Sequence, residues 1–174
     1  MKLFLITLLA VTMQIQQQPL TDVVTGRDVA LADFKGAKFT VVIFTSNVCA
    51  YDGYYSERLK SMVTSYRNTA QFVLVNSYQE AEETNDKMKS KYDSWGFNGV
   101  PYLADKDQAW MKAFGARKSP EVFVLDSSMK VIYTGAIDDN PQVATAVKDN
   151  YLKKVLDGGN VGNTRAVGCT IRGK

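Results

Sequence analysis

The sequence predicts an α/β domain in which one mixed central sheet carries helices on both faces. Three apolar, β-branched runs are typical of buried strands, and they cover residues 38–45, 72–76 and 121–125. Stretches with helical spacing lie between and after them, and turn residues mark the boundaries. Because crossovers between parallel strands are right-handed, few arrangements remain, and one mixed sheet is the simplest.

The composition agrees with one globular domain. The chain has 174 residues, of which 45% are hydrophobic and 22% are charged, and this length is enough for a substantial core. The formal net charge is +3, and the basic residues are interspersed with acidic ones. We therefore expect no nucleic-acid partner.

The first residues are typical of a secretory signal peptide. Lys2 precedes a short apolar run that ends in a glutamine-rich stretch. The apolar run is too short to span a bilayer comfortably. We expect no stable membrane insertion once the signal peptide has been removed. We assign residues 1–18 to the signal peptide and residues 19–174 to the domain, with a secreted or periplasmic location. The alternative for the apolar run is a first core strand or helix.

The first elements lead to the central strand. Residues 20–29 are predicted to form a hairpin, and residues 31–36 a short helical turn closed by glycine. Residues 38–45 then predict a strand that is covered on both faces. A helix follows over residues 49–67. Its predicted buried stripe consists of Tyr55, Leu59, Met62, Val63 and Tyr66.

The middle of the chain continues this alternation. Residues 72–76 predict a second buried strand, and residues 82–95 a polar helix that ends at Gly96. Tyr102 and Leu103 lead into a short helix over residues 108–114.

A hairpin and a helix complete the predicted domain. Residues 121–125 and 130–134 are predicted to be antiparallel strands around a turn. The last helix is predicted over residues 142–156, with Val143, Val147, Tyr151, Leu152 and Val155 on one side. A tail follows over residues 158–174.

Cys49 is the residue that most indicates function. It follows the central strand and opens the next helix, where unpaired N–H groups and the helix dipole favour a thiolate. The carboxyl end of such a strand is where open α/β sheets usually place their sites. The other cysteine, Cys169, lies in the tail.

The residues around Cys49 resemble a known family. Residues 42–51, Val-Ile-Phe-Thr-Ser-Asn-Val-Cys-Ala-Tyr, are similar to the Phe-Thr-Cys-Asn-His-Cys-Pro-Tyr stretch of thioredoxin-like redoxins, which belong to the alkyl hydroperoxide reductase/thiol-specific antioxidant superfamily. The likeness continues through residues 101–105, 113–126 and 133–140, and ends at residues 167–171. It implies a thioredoxin-like fold and thiol-dependent oxidoreductase activity without an organic cofactor.

The cysteine motif departs from the family pattern. Ser46 stands where the family commonly has the first cysteine of Cys-x-x-Cys, and Val48 and Ala50 replace its histidine and proline. Exchange between two thiols inside the motif is therefore impossible. What remains resembles the Thr-x-x-Cys of peroxiredoxins, in which a hydroxyl group hydrogen-bonds near the reactive sulfur. The alternative role for Ser46 is a helix N-cap.

Two further site residues follow from the resemblance and from charge. Pro120 resembles the cis-proline that faces the cysteine in thioredoxin folds, and it is preferred to Pro101 because it directly precedes a hairpin strand. Arg117, or the adjacent Lys118, could add positive charge near the sulfur. The predicted catalytic residues are Cys49, Cys169, Ser46, Pro120 and Arg117.

Composition excludes several other chemistries. The chain contains no histidine and two cysteines. Cys-His proteases, histidine acid–base catalysis and histidine-ligated metals are therefore excluded, and two cysteines alone do not form a typical zinc or iron–sulfur site. We expect no cofactor and no metal, which leaves sulfur chemistry.

Three roles for the two sulfurs stay open. In the first, Cys49 attacks a disulfide or a peroxide, and Cys169 resolves the intermediate. In the second, a Cys49–Cys169 bridge only stabilises a secreted binding domain, by about 4–5 kcal/mol on the chain-entropy model. In the third, the thiols are unpaired and have separate roles. We favour a thiol–disulfide oxidoreductase acting on a thiol or disulfide protein partner, ahead of a peroxiredoxin-like peroxidase and a non-catalytic binding domain.

Overall fold

The computed structural model describes residues 18–173 and contains nine strands and four α-helices within them. The strands are β1 (Leu20–Asp22), β2 (Asp28–Val29), β3 (Phe39–Phe44), β4 (Ala70–Asn76), β5 (Tyr102–Ala104), β6 (Lys118–Ser119), β7 (Glu121–Asp126), β8 (Val131–Gly135) and β9 (Cys169–Thr170). The helices are α1 (Ala50–Tyr66), α2 (Asn85–Trp95), α3 (Ala109–Phe114) and α4 (Tyr151–Leu156). Short 3₁₀ turns occupy Leu31–Phe34, Ala81–Glu83 and Ala144–Ala146.

Seven of the strands form one mixed sheet in the order β2-β1-β5-β4-β3-β7-β8. The central strand β3 runs parallel to β4 and antiparallel to β7. The pair β7–β8 is antiparallel, and so is the first hairpin, β1–β2, as the sequence predicts. The two remaining strands, β6 and β9, pair with each other outside this sheet.

Side chains of β3 alternate between two cores, which confirms the prediction of helices on both faces. Val41 and Ile43 pack with the buried faces of α1, α2 and α4. Val42 and Phe44 point to the opposite face, where they pack with the 3₁₀ turn at Leu31–Phe34 and with α3. Every residue of β3 is buried. The site that follows this strand is therefore attached to a fully buried strand at the centre of the sheet.

Helix α1 follows Cys49, and its buried side consists of the residues that the sequence predicts. Tyr55, Leu59 and Met62 are buried in the first of these cores. Val63 and Tyr66 are half-buried and pack against it. The helix thus presents its apolar side to the sheet, and its first turn lies beside the end of β3.

The predicted helix over residues 142–156 is wrong in its first half. Only a 3₁₀ turn forms at Ala144–Ala146, and α4 begins at Tyr151. The side chain of Asn150 accepts a hydrogen bond from the N–H of Lys153 and so caps the helix at this point. Val143, which the helical spacing placed on a buried side, is 49% exposed.

The helix predicted over residues 82–95 begins later than expected. Ala81–Glu83 forms a 3₁₀ turn, and the Thr84 hydroxyl group then accepts from the N–H of Lys87 as the N-cap of α2. At this break the side chain of Glu83 points into the interior of the protein, where it is buried. The end of the helix at Gly96 is as predicted, with this residue in the left-handed conformation.

Strand β5, which pairs with β4 and β1, is not predicted by the sequence. Three residues are too few for a strand pattern to be recognised, and the sequence predicts Tyr102 and Leu103 only as a lead into the following helix.

The predicted signal peptide lies outside the described residues except for Gln18. The carbonyl oxygen of Gln18 accepts a hydrogen bond of 3.1 Å from the indole N–H of Trp110. Within residues 18–173, none of the helices combines the length and the apolar character that crossing a membrane requires.

Candidate active site

Cys49 lies at the start of α1, immediately after the carboxyl end of β3. It is the N-cap residue, with an extended backbone at φ −73° and ψ 121°, and it is 5% exposed. Its sulfur forms a disulfide with Cys169, with 6.0 Å between the two Cα atoms. The sulfurs therefore meet at the edge of the sheet where the sequence places the site.

The tail is hydrogen-bonded to the end of β8 before it reaches Cys49. The N–H of Thr164 donates to the carbonyl oxygen of Thr134 at 3.0 Å, and its hydroxyl group accepts from the N–H of Ala136 at 2.9 Å. Beyond this anchor the chain forms β9, in which Cys169 lies opposite Ser119 of β6. The tail is therefore held on both sides of the short segment that carries Cys169 to the site.

Ser119 and Pro120 form the wall opposite Cys49. The peptide bond between them is cis, as predicted for Pro120. The carbonyl oxygen of Ser119 lies 3.3 Å from Sγ of Cys49. The disulfide sulfur has no proton, so this distance is a contact in the oxidised protein, and it becomes a possible hydrogen bond when the thiol forms.

Ser46 organises the turn that leads into α1. Its hydroxyl oxygen accepts from the N–H groups of Val48 and Cys49, both at 3.2 Å. Its proton is donated to Oε1 of Glu83 at 2.6 Å. Ser46 therefore satisfies two backbone donors of the turn that precedes α1, and its single proton is already used. The alternative of Ser46 as the helix N-cap is wrong, because Cys49 is the N-cap residue of α1.

Glu83 is a buried acid that no pattern in the sequence indicates. Besides Ser46 it accepts from the N–H of Asn47 at 2.9 Å and from the side-chain amide of Asn76 at 2.7 Å. These three donors come from the turn before Cys49 and from the end of β4. Lys106 donates to the carbonyl oxygen of Glu83, and burial lowers the pKa of this lysine. Glu83 thus fixes the turn against the neighbouring strand.

Asp52 is a second buried acid, in the first turn of α1. Burial raises the pKa of its carboxyl group from 3.8 to about 7. Hydrogen bonds donated by the hydroxyl groups of Ser119 and Thr45 oppose this effect only in part. A group with this pKa can bind or release a proton at neutral pH, and here it is linked through Ser119 to the contact at the Cys49 sulfur.

Arg117 is exposed, and its main chain takes part in two hydrogen bonds. Its N–H donates to Glu121 at 2.6 Å, and its carbonyl oxygen accepts from Ile171 of the tail at 3.0 Å. The neighbouring Lys118 donates from its ammonium group to the hydroxyl group of Thr170. A charge effect of Arg117 on the sulfur stays a prediction.

The two acids were missed for a physical reason. Carboxylates are normally exposed, and an aspartate in the first turn of a helix is common because it complements the helix dipole. Asp52 follows Cys49 by one helical turn, which is the one signal in the sequence that could have indicated it. Glu83 lies in a polar stretch where nothing distinguishes it from Glu82.

Comparison with known structures gives matches of similar length. An uncharacterized conserved protein from Geobacillus kaustophilus is 29% identical, with a TM-score of 0.79 over 91% of this chain and 90% of that one. A hypothetical protein from Sinorhizobium meliloti is 30% identical, with a TM-score of 0.75 over 88% and 89%. No match was found among curated proteins.

A more distant match has a described activity. It is a secreted disulfide oxidoreductase of Mycobacterium tuberculosis, homologous to Escherichia coli DsbE, and it is 16% identical with a TM-score of 0.58 over 68% of this chain and 82% of that one. At this identity the likeness shows the thioredoxin-like fold. It agrees with the mixed sheet found here.

The family model for Redoxin matches residues 10–152, which include Cys49, both buried acids and Pro120. The tail with Cys169 lies beyond the matched region. Since the match covers most of the sequence, the chain belongs to the Redoxin family.

Proposed function

We propose that the protein is an exported thiol–disulfide oxidoreductase in which Cys49 and Cys169 form the redox couple. Membership in the Redoxin family supports a thiol-dependent oxidoreductase. The observation that carries the finer proposal is the disulfide that joins the N-terminus of α1 to the tail, directly against Ser119. Ser46, in place of a motif cysteine, makes the tail cysteine the partner within the chain.

The position of Cys49 suits a reacting sulfur. At a helix N-terminus the thiolate is favoured, which helps it both as a nucleophile and as a leaving group. The nearby carboxyl group of Asp52, with a pKa of about 7, can exchange the protons that dithiol and disulfide forms gain or lose. A disulfide that only stabilised the fold would need neither the helix N-terminus nor the nearby carboxyl group.

The exchange proceeds in two balanced steps. The Cys49 thiolate attacks a disulfide of the partner, so that a mixed disulfide forms and one partner thiolate leaves. The Cys169 thiolate then attacks the Cys49 sulfur, which forms the enzyme disulfide and releases the second partner thiolate. Two electrons pass from the protein to its partner, and the reverse sequence oxidises a partner dithiol.

Exposed apolar side chains beside the disulfide support a protein partner. Val48, which precedes Cys49, is 61% exposed, and Val167 of the tail is 50% exposed. Tyr54 of α1 is 48% exposed and packs edge-on against Tyr51. Apolar residues so close to a reactive group are typical of a surface that another protein covers.

The peroxidase alternative has weaker support. In the peroxiredoxin-like interpretation Ser46 hydrogen-bonds near the reactive sulfur, whereas here its proton goes to Glu83. Peroxide consumption by the reduced protein measures this alternative directly.

Two matched cysteine variants test the proposal. Cys49→Ser and Cys169→Ser remove the same bridge, so both should lose the same stabilisation, about 4–5 kcal/mol. We expect Cys49→Ser to react with a small disulfide only at the slow rate of an ordinary thiol, through Cys169, while reduced Cys169→Ser reacts faster and stops at a mixed disulfide that mass spectrometry detects. Equal behaviour of the two variants, together with a wild-type reduction potential below about −300 mV, would support a structural bridge instead.

Export is a separate part of the proposal. It depends on the predicted signal peptide at residues 1–18, and the mass of the mature chain in a secreted or periplasmic fraction tests it. A full-length chain found only in the cytosol would contradict it.

A further inference from the structure

The tail binds β6 in the manner of an extended peptide ligand. Ser119 pairs with Cys169 and Lys118 with Thr170 in antiparallel register, and the N–H of Ile171 donates to the carbonyl oxygen of Arg117. Main-chain pairing of this kind is open to any extended segment, since it does not depend on side chains.

Two side chains of the domain also bind the main chain of the tail. The hydroxyl group of Tyr78 donates to the carbonyl oxygen of Cys169 at 3.2 Å. The side-chain amide of Gln108 donates to the carbonyl oxygen of Arg172 at 2.6 Å. Between these contacts Ile171 is buried in the same apolar core as Trp110. The site therefore holds the backbone on both sides of one apolar pocket, two residues after the cysteine.

The residue before the cysteine meets a steric limit. A Cβ atom at Gly168 would lie 2.0 Å from the carbonyl oxygen of Ser119 and 2.6 Å from its carbonyl carbon. These are backbone atoms, so they do not move aside like the end of a flexible side chain. Only glycine fits before the cysteine in this register.

We propose that the tail stands in for the substrate, and that the reduced protein binds on β6 a partner segment with glycine before its cysteine and an apolar residue two positions after it. This inference rests on the proposed exchange at Cys49. The partner segment occupies the place of residues 168–171 while it is joined to Cys49 in the mixed disulfide. When Cys169 resolves that intermediate, the tail replaces the partner on the same strand edge.

The contacts of the tail are compatible with this replacement. Its strand β9 has two residues, and Thr170 is exposed. Individual main-chain hydrogen bonds make only a small net contribution, because water replaces them when they break. The anchor at Thr164 holds the chain upstream, so Cys169 stays within a few residues of the site after it is released.

Peptides with an activated cysteine test this peptide rule, which is glycine before the cysteine and an apolar residue two positions after it. The binding protein is the full-length chain. The probe is a peptide with the sequence of residues 165–173, its cysteine joined to thionitrobenzoate, and the protein is reduced Cys169→Ser. Release of thionitrobenzoate gives the rate, and mass spectrometry confirms the Cys49–peptide adduct. We expect replacement of the peptide's glycine by alanine to slow the reaction about tenfold or more. We also expect a smaller loss when its isoleucine is replaced by serine.

Reaction of Cys49 with a small aromatic disulfide distinguishes a failure of the peptide rule from a failure of the proposed function. If Cys49 reacts with this reagent but the glycine and alanine peptides react equally fast, the peptide rule is overturned and the proposed function stands. If Cys49 reacts with neither reagent nor peptides, the proposed function fails and the rule with it.

A second variant tests competition by the tail. Adding Gly168→Ala to Cys169→Ser prevents the tail from occupying the edge of β6 in this register. The glycine peptide should then react faster with Cys49 than it does in Cys169→Ser alone, because its competitor is gone. An unchanged rate would overturn the role of the tail as a stand-in.

Discussion

Ser119 donates a hydrogen bond from its hydroxyl group to the buried carboxyl group of Asp52. The carbonyl oxygen of the same residue lies 3.3 Å from the sulfur of Cys49. One residue thus contacts the Cys49 sulfur through its main chain and a buried acid through its side chain. Protonation of Asp52 is therefore expected to affect the surroundings of the disulfide as well as the stability of the fold.

Asp52→Asn should change how stability depends on pH. The folded-state pKa of about 7 lies above the unfolded value of 3.8, so the folded protein binds more protons than the unfolded chain between these values. The contribution of Asp52 to stability is fully present below about pH 4 and is lost as pH rises through about 7. Asparagine resembles the protonated acid, so the variant should show a flatter free energy of unfolding over this range.

Denaturant unfolding at several pH values measures this effect. Asp86→Asn is the matched control, since it also removes an acid from the first turn of a helix but from an exposed position. A fall in stability with pH that is equally steep in Asp52→Asn and in the wild type would contradict the raised pKa.

Glu83→Ala should destabilise the protein by on the order of 3 kcal/mol, because it leaves buried donors of Ser46, Asn47 and Asn76 without an acceptor. The neighbouring Glu82 has an exposed side chain that pairs with Lys87 at the surface. Glu82→Ala should therefore cost less than about 1 kcal/mol. The two variants are compared by urea unfolding with the disulfide intact, and similar losses would show that the buried network contributes little.

Gly168→Ala should weaken the Cys49–Cys169 disulfide, because the added Cβ prevents the tail from seating against Ser119. We expect the equilibrium constant for bridge formation to fall about tenfold or more, which makes the reduction potential about 30 mV less negative. Equilibration with glutathione buffers measures this shift. Gly162→Ala is the control in the same tail, since a Cβ there has open space. The idea fails if both variants keep the wild-type potential.

Arg58→Ala should destabilise the segment that follows β8. Arg58 pairs with the fully buried carboxylate of Asp138 at 2.5 Å and donates to the carbonyl oxygens of Asn140 and Pro141. Removal of one partner leaves a buried charge, at a cost of about 3–5 kcal/mol. Thermal or urea unfolding measures this loss. Lys60→Ala, on the same helix, removes a surface pair and should cost about 0.5 kcal/mol or less; an equal loss in both would contradict the prediction.

Local patterns were sufficient for much of the fold. Continuous apolar runs predicted β3, β4 and β7, because central strands are buried on both faces. Helical spacing predicted α1, and its start placed Cys49 at a helix N-terminus. The glycine at the end of α2 was also recognised, because a left-handed residue is a local requirement.

Other elements depend on partners that are distant in sequence. The apolar spacing over residues 142–156 suggested one helix, yet Arg58 on α1 holds the carbonyl groups at Asn140 and Pro141, and the helix starts only after the cap at Asn150. Strand β5 exists because β1 and β4 lie on either side of it. No local preference of three residues could indicate this.

The candidate site also combines residues that the sequence indicates with properties that depend on tertiary structure. Cys49 was marked in the sequence by its position between a strand and a helix and Cys169 as the second cysteine, whereas Ser46 and Pro120 followed from the resemblance to redoxins. Tertiary structure decided that Asp52 and Glu83 are buried, that the hydroxyl proton of Ser46 goes to a carboxylate, and that glycine must precede Cys169. These properties arise from burial and from close approach of distant backbone segments, which residue patterns along a chain do not encode.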